Sequence, residues 1–260
     1  MNKVILWIHK HKNNRDNRFH TYIKETANTY GINVHFVSTP EEIKNSDVKL
    51  VFAKRQLPPA IREALTEKTL LNPLDIVDII NDKVKTKEHI TVKVGEKYLL
   101  KTYSSAEEIV SFPVIVKDKC GTKGDGIFLV HCKEELYGIT DEYFIEEYGG
   151  EDITKSSDYR VYVLNGKILV SIQRTNEGFI SNVDKGGKVS ILPSIEENIL
   201  EQLNKIIKSF DAKYFAIDYI VKNGEVKVLE LNTNPGASAL LGQNFDYYTL
   251  LFKGLSEVME

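Results

Sequence analysis

Two Asn-Gly pairs limit what this chain can fold into more than any other feature of its sequence. Asn165-Gly166 separates Tyr159–Leu164 from Lys167–Gln173, and Asn223-Gly224 separates Phe215–Lys222 from Val226–Leu231. Asn-Gly supplies the two positive φ angles of a tight turn whose twist matches the flanking strands, so each segment reads as a β-hairpin. The last third of the chain therefore builds antiparallel sheet. A helix is expected between the hairpins, where Ile195, Ile199, Leu203, Ile206 and Phe210 share one face, with Ser194 and Glu197 read as its capping box.

The beginning of the chain follows a different rule. Residues 3–8 and 32–37 read as buried strands, and Phe19, Tyr22, Ile23, Ala27 and Tyr30 recur between them at helical spacing before Gly31. Thr39-Pro40-Glu41-Glu42 caps a second helix, a third strand is expected over Val48–Phe52, and another helix over Pro58–Lys68. That alternation predicts a small parallel sheet with covering helices. From Asn72-Pro73 onward the pattern changes. Helices are expected between Leu74 and Thr91, a strand near Tyr98–Tyr103, a capping box at Ser105–Glu108, and strands over Phe112–Lys117, Ile127–His131 and Tyr143–Tyr148. The order is α/β followed by α+β. It divides the 260 residues into an N-terminal unit over 1–72, a central unit over 73–148 and a C-terminal unit over 149–260.

Composition excludes several classes of protein. The 34 basic side chains against 37 acidic ones leave a net charge of −3, which argues against binding nucleic acid or anionic membrane through bulk charge. The apolar run Val4–Ile8 is too short for a signal-peptide core, and no later run approaches the roughly 18 residues a membrane helix needs. Cys120 and Cys132 have no metal-ligand spacing, so a zinc module and a disulfide scaffold are both unexpected, and a cytoplasmic location fits.

Two segments carry chemistry. In Phe112–Val130 a buried strand ends in Lys117, glycines recur at Gly121, Gly124 and Gly126, and a second strand follows. Such a turn can present backbone N–H groups to a phosphate while Lys117 supplies fixed charge. It is neither a P-loop nor a dinucleotide fingerprint, both of which need a helix after the glycines. The same spacing also suits a plain hairpin tip with solvated lysines. The second segment places Asp218, Glu230 and Asn232 in otherwise apolar strands, where a carboxylate is costly to bury without a cation. Glu230 and Asn232 share a face by the period of two. A two-residue turn at Asn223-Gly224 sets Asp218 opposite Leu229, whereas a three-residue loop sets it opposite Glu230, so a shared site requires the longer loop. An exposed face with solvated carboxylates is the alternative.

The succession Lys83, Lys117, the Gly121–Gly126 loop, Glu146-Glu147-Tyr148, Asp218, Glu230 and Asn232 resembles the ATP-grasp superfamily. Within it, Gly121-Thr-Lys-Gly-Asp-Gly126, Asp158-Tyr-Arg160, Ser181-Asn182 and Glu230-Leu-Asn232-Thr-Asn-Pro-Gly236 most resemble the ribosomal-protein glutamate ligase (RimK-like) branch of carboxylate-amine ligases. The resemblance implies an ATP-grasp fold behind a short N-terminal parallel-sheet domain. It implies ATP held by Lys83, Lys117, Gly121, Thr122, Gly124, Gly126, Ser181 and Asn182, with Glu147 and Tyr148 at the adenine hinge and Asp158 on the ribose. Glu151 and Asp152 compete with Asp158 for that last role. Asp218, Glu230 and Asn232 would hold two Mg²⁺ ions, with Mn²⁺ as a substitute, and Arg160 and Arg174 would face the γ-phosphate or the substrate carboxylate.

The activity implied is ATP-dependent amide formation through an acylphosphate, on an amino acid, a peptide or a protein side chain. Phosphoryl transfer to a hydroxyl, or ATP binding without turnover, are the alternatives. Relatives are often dimers or tetramers, so a homo-oligomer is among the expectations. With a regular ladder from Asn165-Gly166, Arg160 and Arg174 fall on opposite faces, and a bulge must intervene if both serve one site. Ile180 stands where close relatives carry an arginine. Residues 9–24 gather Lys10, Lys12, Arg15, Arg18 and Lys24 with His9, His11 and His20, which suits either an anionic-substrate surface or a solvated loop.

Overall fold

The computed structural model describes residues 3–8, 17–46, 50–52, 57–119, 126–181 and 186–259, which build three sheets. The first is parallel, with strands β1 (Lys3–Ile8), β2 (Ile32–Val37) and β3 (Leu50–Phe52) in the order β2-β1-β3. Helix α1 (Asn17–Asn28) makes the crossover from β1 to β2. Helix α2 (Pro40–Lys44) starts as its sequence predicts: Thr39 Oγ1 accepts from Glu42 N at 3.3 Å, and the Glu42 carboxylate accepts from Thr39 N at 3.2 Å. Helix α3 (Pro59–Ala64) ends sooner than expected.

Two helices follow, α4 (Leu74–Ile80) and α5 (Lys83–Lys93). Asp82 caps α5 by accepting from Val84 N and Lys85 N at 2.9 and 3.1 Å. The second sheet is antiparallel, with β4 (Thr102–Tyr103), β5 (Val114–Asp118), β6 (Ile127–Val130) and β7 (Tyr143–Glu147) in the order β4-β7-β5-β6. The strand expected near Tyr98–Tyr103 shrinks to two residues, because Glu96–Tyr98 forms a 3₁₀ turn. The capping box expected at Ser105 does not form. Ala106–Glu108 is a single 3₁₀ turn, and the Glu108 carboxylate accepts from Ser104 N at 3.0 Å instead.

The third sheet contains both predicted hairpins. Strands β8 (Lys155–Leu164), β9 (Lys167–Glu177), β10 (Lys188–Ile191), β11 (Tyr214–Lys222) and β12 (Glu225–Asn232) lie in the order β10-β9-β8-β11-β12, antiparallel throughout. Asn165 and Asn223 adopt φ of 48° and 54°, and the glycine after each is also positive. Helix α6 (Glu197–Ser209) connects the hairpins, but its N-cap is Glu196 without a side-chain bond. Ser194 lies two residues too early to reach the first turn.

The sheet's two faces are buried against different partners. Val161, Val163, Phe215 and Ile217 pack on Ile80 of α4, Ile90 of α5 and Leu203 of α6. On the other face Tyr162, Ile172 and Ala216 pack on Ile5 and Ile32 of the parallel sheet and on Leu251 and Phe252 of α8 (Tyr247–Val258), which follows the short α7 (Ser238–Leu241). Beyond this apolar contact the same face turns charged. Buried Asn72 stitches the chain to β11: its Oδ1 accepts from Lys213 N at 2.8 Å and Tyr214 N at 3.0 Å, and its Nδ2 donates to Tyr214 O at 2.5 Å. Asn72→Ala leaves those backbone groups unpaired, and a loss of about 1–3 kcal/mol is expected by urea unfolding.

Candidate functional site

Two β-bulges decide which side chains meet. Between β8 and β9 the ladder leaves the Asn165-Gly166 turn in regular register, with Leu164 opposite Lys167 and Val163 opposite Ile168. Leu169 is then skipped, so that Tyr162 faces Val170, Arg160 faces Ile172 and Arg174 faces Asp158. Arg174 thereby shares a face with Asp158 and Arg160, as a common site for both arginines requires. Between β11 and β12 the turn is two residues long, with Lys222 opposite Glu225, and the three-residue loop expected from the sequence is absent. A bulge at Leu229 makes the shift instead and sets Asp218 opposite Glu230. The partnership is as required, but its cause lies five residues from the turn.

These registers assemble a buried ionic array. Arg160 grips Asp218 with two hydrogen bonds, Nε to Oδ1 at 2.5 Å and Nη2 to Oδ2 at 2.7 Å. Arg174 grips Asp158 in the same way, at 2.6 and 2.7 Å, and its Nη2 also reaches Asp218 Oδ2 at 2.9 Å. Ser181 donates to Asp158 Oδ2 at 2.5 Å. Two guanidinium groups and two carboxylates thus neutralise one another, which lets all four charges leave water. Burial alone would raise the Asp218 carboxyl, but Arg160 and Arg174 outweigh it and hold it down at about 2. Asp158 moves the other way: its burial, with the Asp218 charge adding to it, exceeds what Arg174 and Ser181 offset.

Glu230 and Asn232 continue the same face. Asn232 Oδ1 accepts from Asn234 N at 2.8 Å, and Tyr162 Oη donates to Gly236 O at 2.8 Å, which ties the loop after β12 to β8. No group of three or more His, Cys, Asp or Glu converges among the described residues. Two carboxylates and an amide oxygen along one face are a hard-oxygen donor set of the kind Mg²⁺ takes, with Asp218 shared with Arg160 and Arg174.

The other cluster lies on the four-stranded sheet. Lys117 on β5 donates to the Glu146 Oε1 on β7 at 2.5 Å, and Lys87 of α5 pairs with Oε2 of the same carboxylate. Glu146 is fully buried; burial raises its carboxyl, but the ammonium groups of Lys117 and Lys87 more than offset this and hold it below the ordinary range. Lys83, one helical turn before Lys87, is also buried. Neither Lys87 nor the Glu146 carboxylate stood out in the sequence as a site residue, although both left signals: Lys87 follows Lys83 by four, and Glu146 is a carboxylate in an apolar strand, as Asp218 is.

The remaining expected residues divide. The Glu147 carboxylate accepts from Lys101 N at 3.1 Å and pairs with Lys222 of β11 at 3.1 Å, which links the two antiparallel sheets. Tyr148 Oη donates to Asp152 O at 2.8 Å. Asp158, read as a ribose ligand, has both oxygens taken by Arg174 and Ser181. Asp152 caps Thr154, accepting from its N and its Oγ1 at 2.7 Å each, and both it and Glu151 are exposed. Gly121, Thr122, Gly124 and Asn182 lie outside the described residues, as do Cys120 and the basic positions 9–16. Gly126 closes the loop with φ +71°, and a Cβ there would stand 2.7 Å from Asp118 Cβ. Gly126→Ala is therefore expected to cost roughly 1–3 kcal/mol in thermal unfolding and to displace the end of β5.

A parallel α/β unit followed by two antiparallel sheets, one bearing the buried Lys117 and the other arginines beside carboxylates, is the architecture of the ATP-grasp proteins. The chain belongs to the RimK-like ATP-grasp family, whose model matches residues 80–247. Among its relatives, the coenzyme gamma-F420-2:alpha-L-glutamate ligase of Methanococcus maripaludis is 26% identical over 193 residues, 68% of this chain and 66% of that protein. The D-alanine–D-alanine ligase of Fusobacterium nucleatum is 34% identical over 173 residues, 61% of this chain and 58% of that one. The chain thus matches about three fifths to two thirds of the length of these relatives. In fold it is similar to the D-alanine–D-alanine ligase of Bacillus anthracis solved with ATP, with a TM-score of 0.66, 16% identity, and coverage of 97% and 96%. No helix among the described residues is long and apolar enough to cross a membrane.

Proposed function

We propose that this chain is an ATP-dependent, ADP-forming carboxylate-amine ligase acting on an amino acid or a peptide. The observation that carries the reading is the array of Arg160, Arg174, Asp158 and Asp218 on the face that Glu230 and Asn232 share, in a chain that also buries Lys83 and Lys117. Lys83 and Lys117 would bind the phosphates, with the four-stranded sheet that carries Lys117 beside them. Glu147 and Tyr148 would meet adenine through their main chain, and Glu151 would take the ribose. The chain would divide into three units, over 1–72, 73–148 and 149–260.

An attack by a carboxylate on ATP brings two anions together. Arg160 and Arg174 offset that repulsion and hold the carboxylate oxygen in line with the γ-phosphorus. Asp158 is a positioning residue in this scheme, because its two bonds fix the Arg174 plane. Asp218, Glu230 and Asn232 would hold Mg²⁺, which supplies charge neutralisation at the phosphate oxygens. The carboxylate oxygen bonds to the γ-phosphorus as the bond to ADP breaks. The amine nitrogen then bonds to the acyl carbon as phosphate leaves, and the nitrogen gives up a proton. Incubation with ATP, Mg²⁺ and a pool of amino acids, dipeptides and acidic peptides tests the reading, with phosphate release and product mass followed together. A product lighter by one water than its summed reactants is expected, and one heavier by a phosphoryl group overturns it.

A further inference from the structure

Lys87 creates an imbalance that the reading above does not use. Two ammonium groups, from Lys87 and Lys117, share the one carboxylate of Glu146. The Glu146 side chain is 0% exposed, that of Lys117 10% and that of Lys87 15%. Either lysine alone would satisfy the rule that a buried charge keeps an opposite partner. The lysines also come from different parts of the fold: Lys117 extends from β5, whereas Lys87 comes from α5 and is further fixed by the Phe144 ring, 5.8 Å from its Nζ.

A lysine that neutralises a fully buried carboxylate cannot turn to a phosphate without leaving that carboxylate unpaired, at a cost that would cancel most of the gain. A second cation already in place on the other oxygen removes the cost. We propose that Lys87 is the standby counter-ion of Glu146, a positioning residue that frees Lys117 to bind the nucleotide phosphates. Both lysines hold Glu146 in the structure. With nucleotide bound, Lys87 alone holds it and Lys117 moves to the phosphate. This rests on the nucleotide reading above.

Calorimetric titration of ADP into the wild-type chain, Lys87→Met, Glu146→Gln and the double variant tests the proposal, with thermal melts to confirm that each is folded. Lys87→Met is expected to weaken ADP roughly tenfold or more, because Lys117 must then abandon an unaccompanied carboxylate. The decisive comparison is the double variant. With the carboxylate neutralised there is no charge to keep paired, so adding Lys87→Met to Glu146→Gln is expected to change affinity by less than about threefold. Equal losses in both backgrounds would make Lys87 a direct phosphate ligand and overturn the standby role. Unchanged affinity in Lys87→Met also overturns it while leaving the nucleotide site intact. A folded wild-type chain that binds no ADP overturns the nucleotide reading and this inference with it.

Discussion

Glu230→Ala is expected to lower phosphate release by about a thousandfold or more while barely changing thermal stability. Glu230 sits opposite Asp218 on the charged face, yet its side chain takes no part in the arginine array and makes no hydrogen bond or ion pair among the described residues. Its side chain is only partly buried, so truncation opens no cavity and strands no partner. A side chain that holds no partner in the fold and is essential to turnover is the pattern expected of a metal ligand. Steady-state phosphate release, paired with a thermal melt, measures both halves of the prediction.

Asp218→Ala should lower stability as well as turnover, because Asp218 also anchors the arginine array. The substitution removes the two bonds from Arg160 and the third from Arg174, leaving two guanidinium groups largely out of water with only Asp158 between them. Breaking one member of a buried charge array in this way costs about 3–5 kcal/mol, which urea unfolding will register as a clear fall in midpoint. The acid limb of stability should change as well. The Asp218 carboxyl lies at about 2 in the folded chain, below its ordinary value of 3.8, so its contribution is complete above the ordinary value and is lost as pH falls toward 2. Asp158, shifted upward, has the opposite sign and blunts that loss. Asp218→Ala is therefore expected to be less stable than the wild type at neutral pH and to approach it as the pH drops below about 4.

The elements themselves were largely legible because their signals are local. Helical spacing before Gly31, Thr39-Pro40 ahead of α2 and the two Asn-Gly turns each act over a few residues, and each produced the expected element. The capping boxes at Ser105 and Ser194 failed where the chain stayed extended or made a single 3₁₀ turn, since a box pattern has no force without a following helix of the right start. The bulges at Leu169 and Leu229 were invisible individually because a leucine in a bulge resembles a leucine in a ladder. Only the demand that Arg160 meet Arg174, and that Asp218 meet Glu230, pointed to a register shift, and for the second hairpin it pointed to the wrong place. Lys87 and Glu146 escaped for a different reason: their meaning comes from the pairing of α5 with β7, a tertiary contact that no spacing encodes.

The central claim is that a carboxylate is activated by ATP on the Arg160–Arg174 face, and hydroxylamine trapping tests it most directly. The chain would be incubated with ATP, Mg²⁺, the pooled carboxylic substrates and hydroxylamine, and hydroxamate would be read by its colour with ferric ion. An ATP-dependent hydroxamate, formed in step with ADP and absent in Glu230→Ala, is the predicted result. ADP formation with a stable phosphorylated hydroxyl product and no hydroxamate would contradict it.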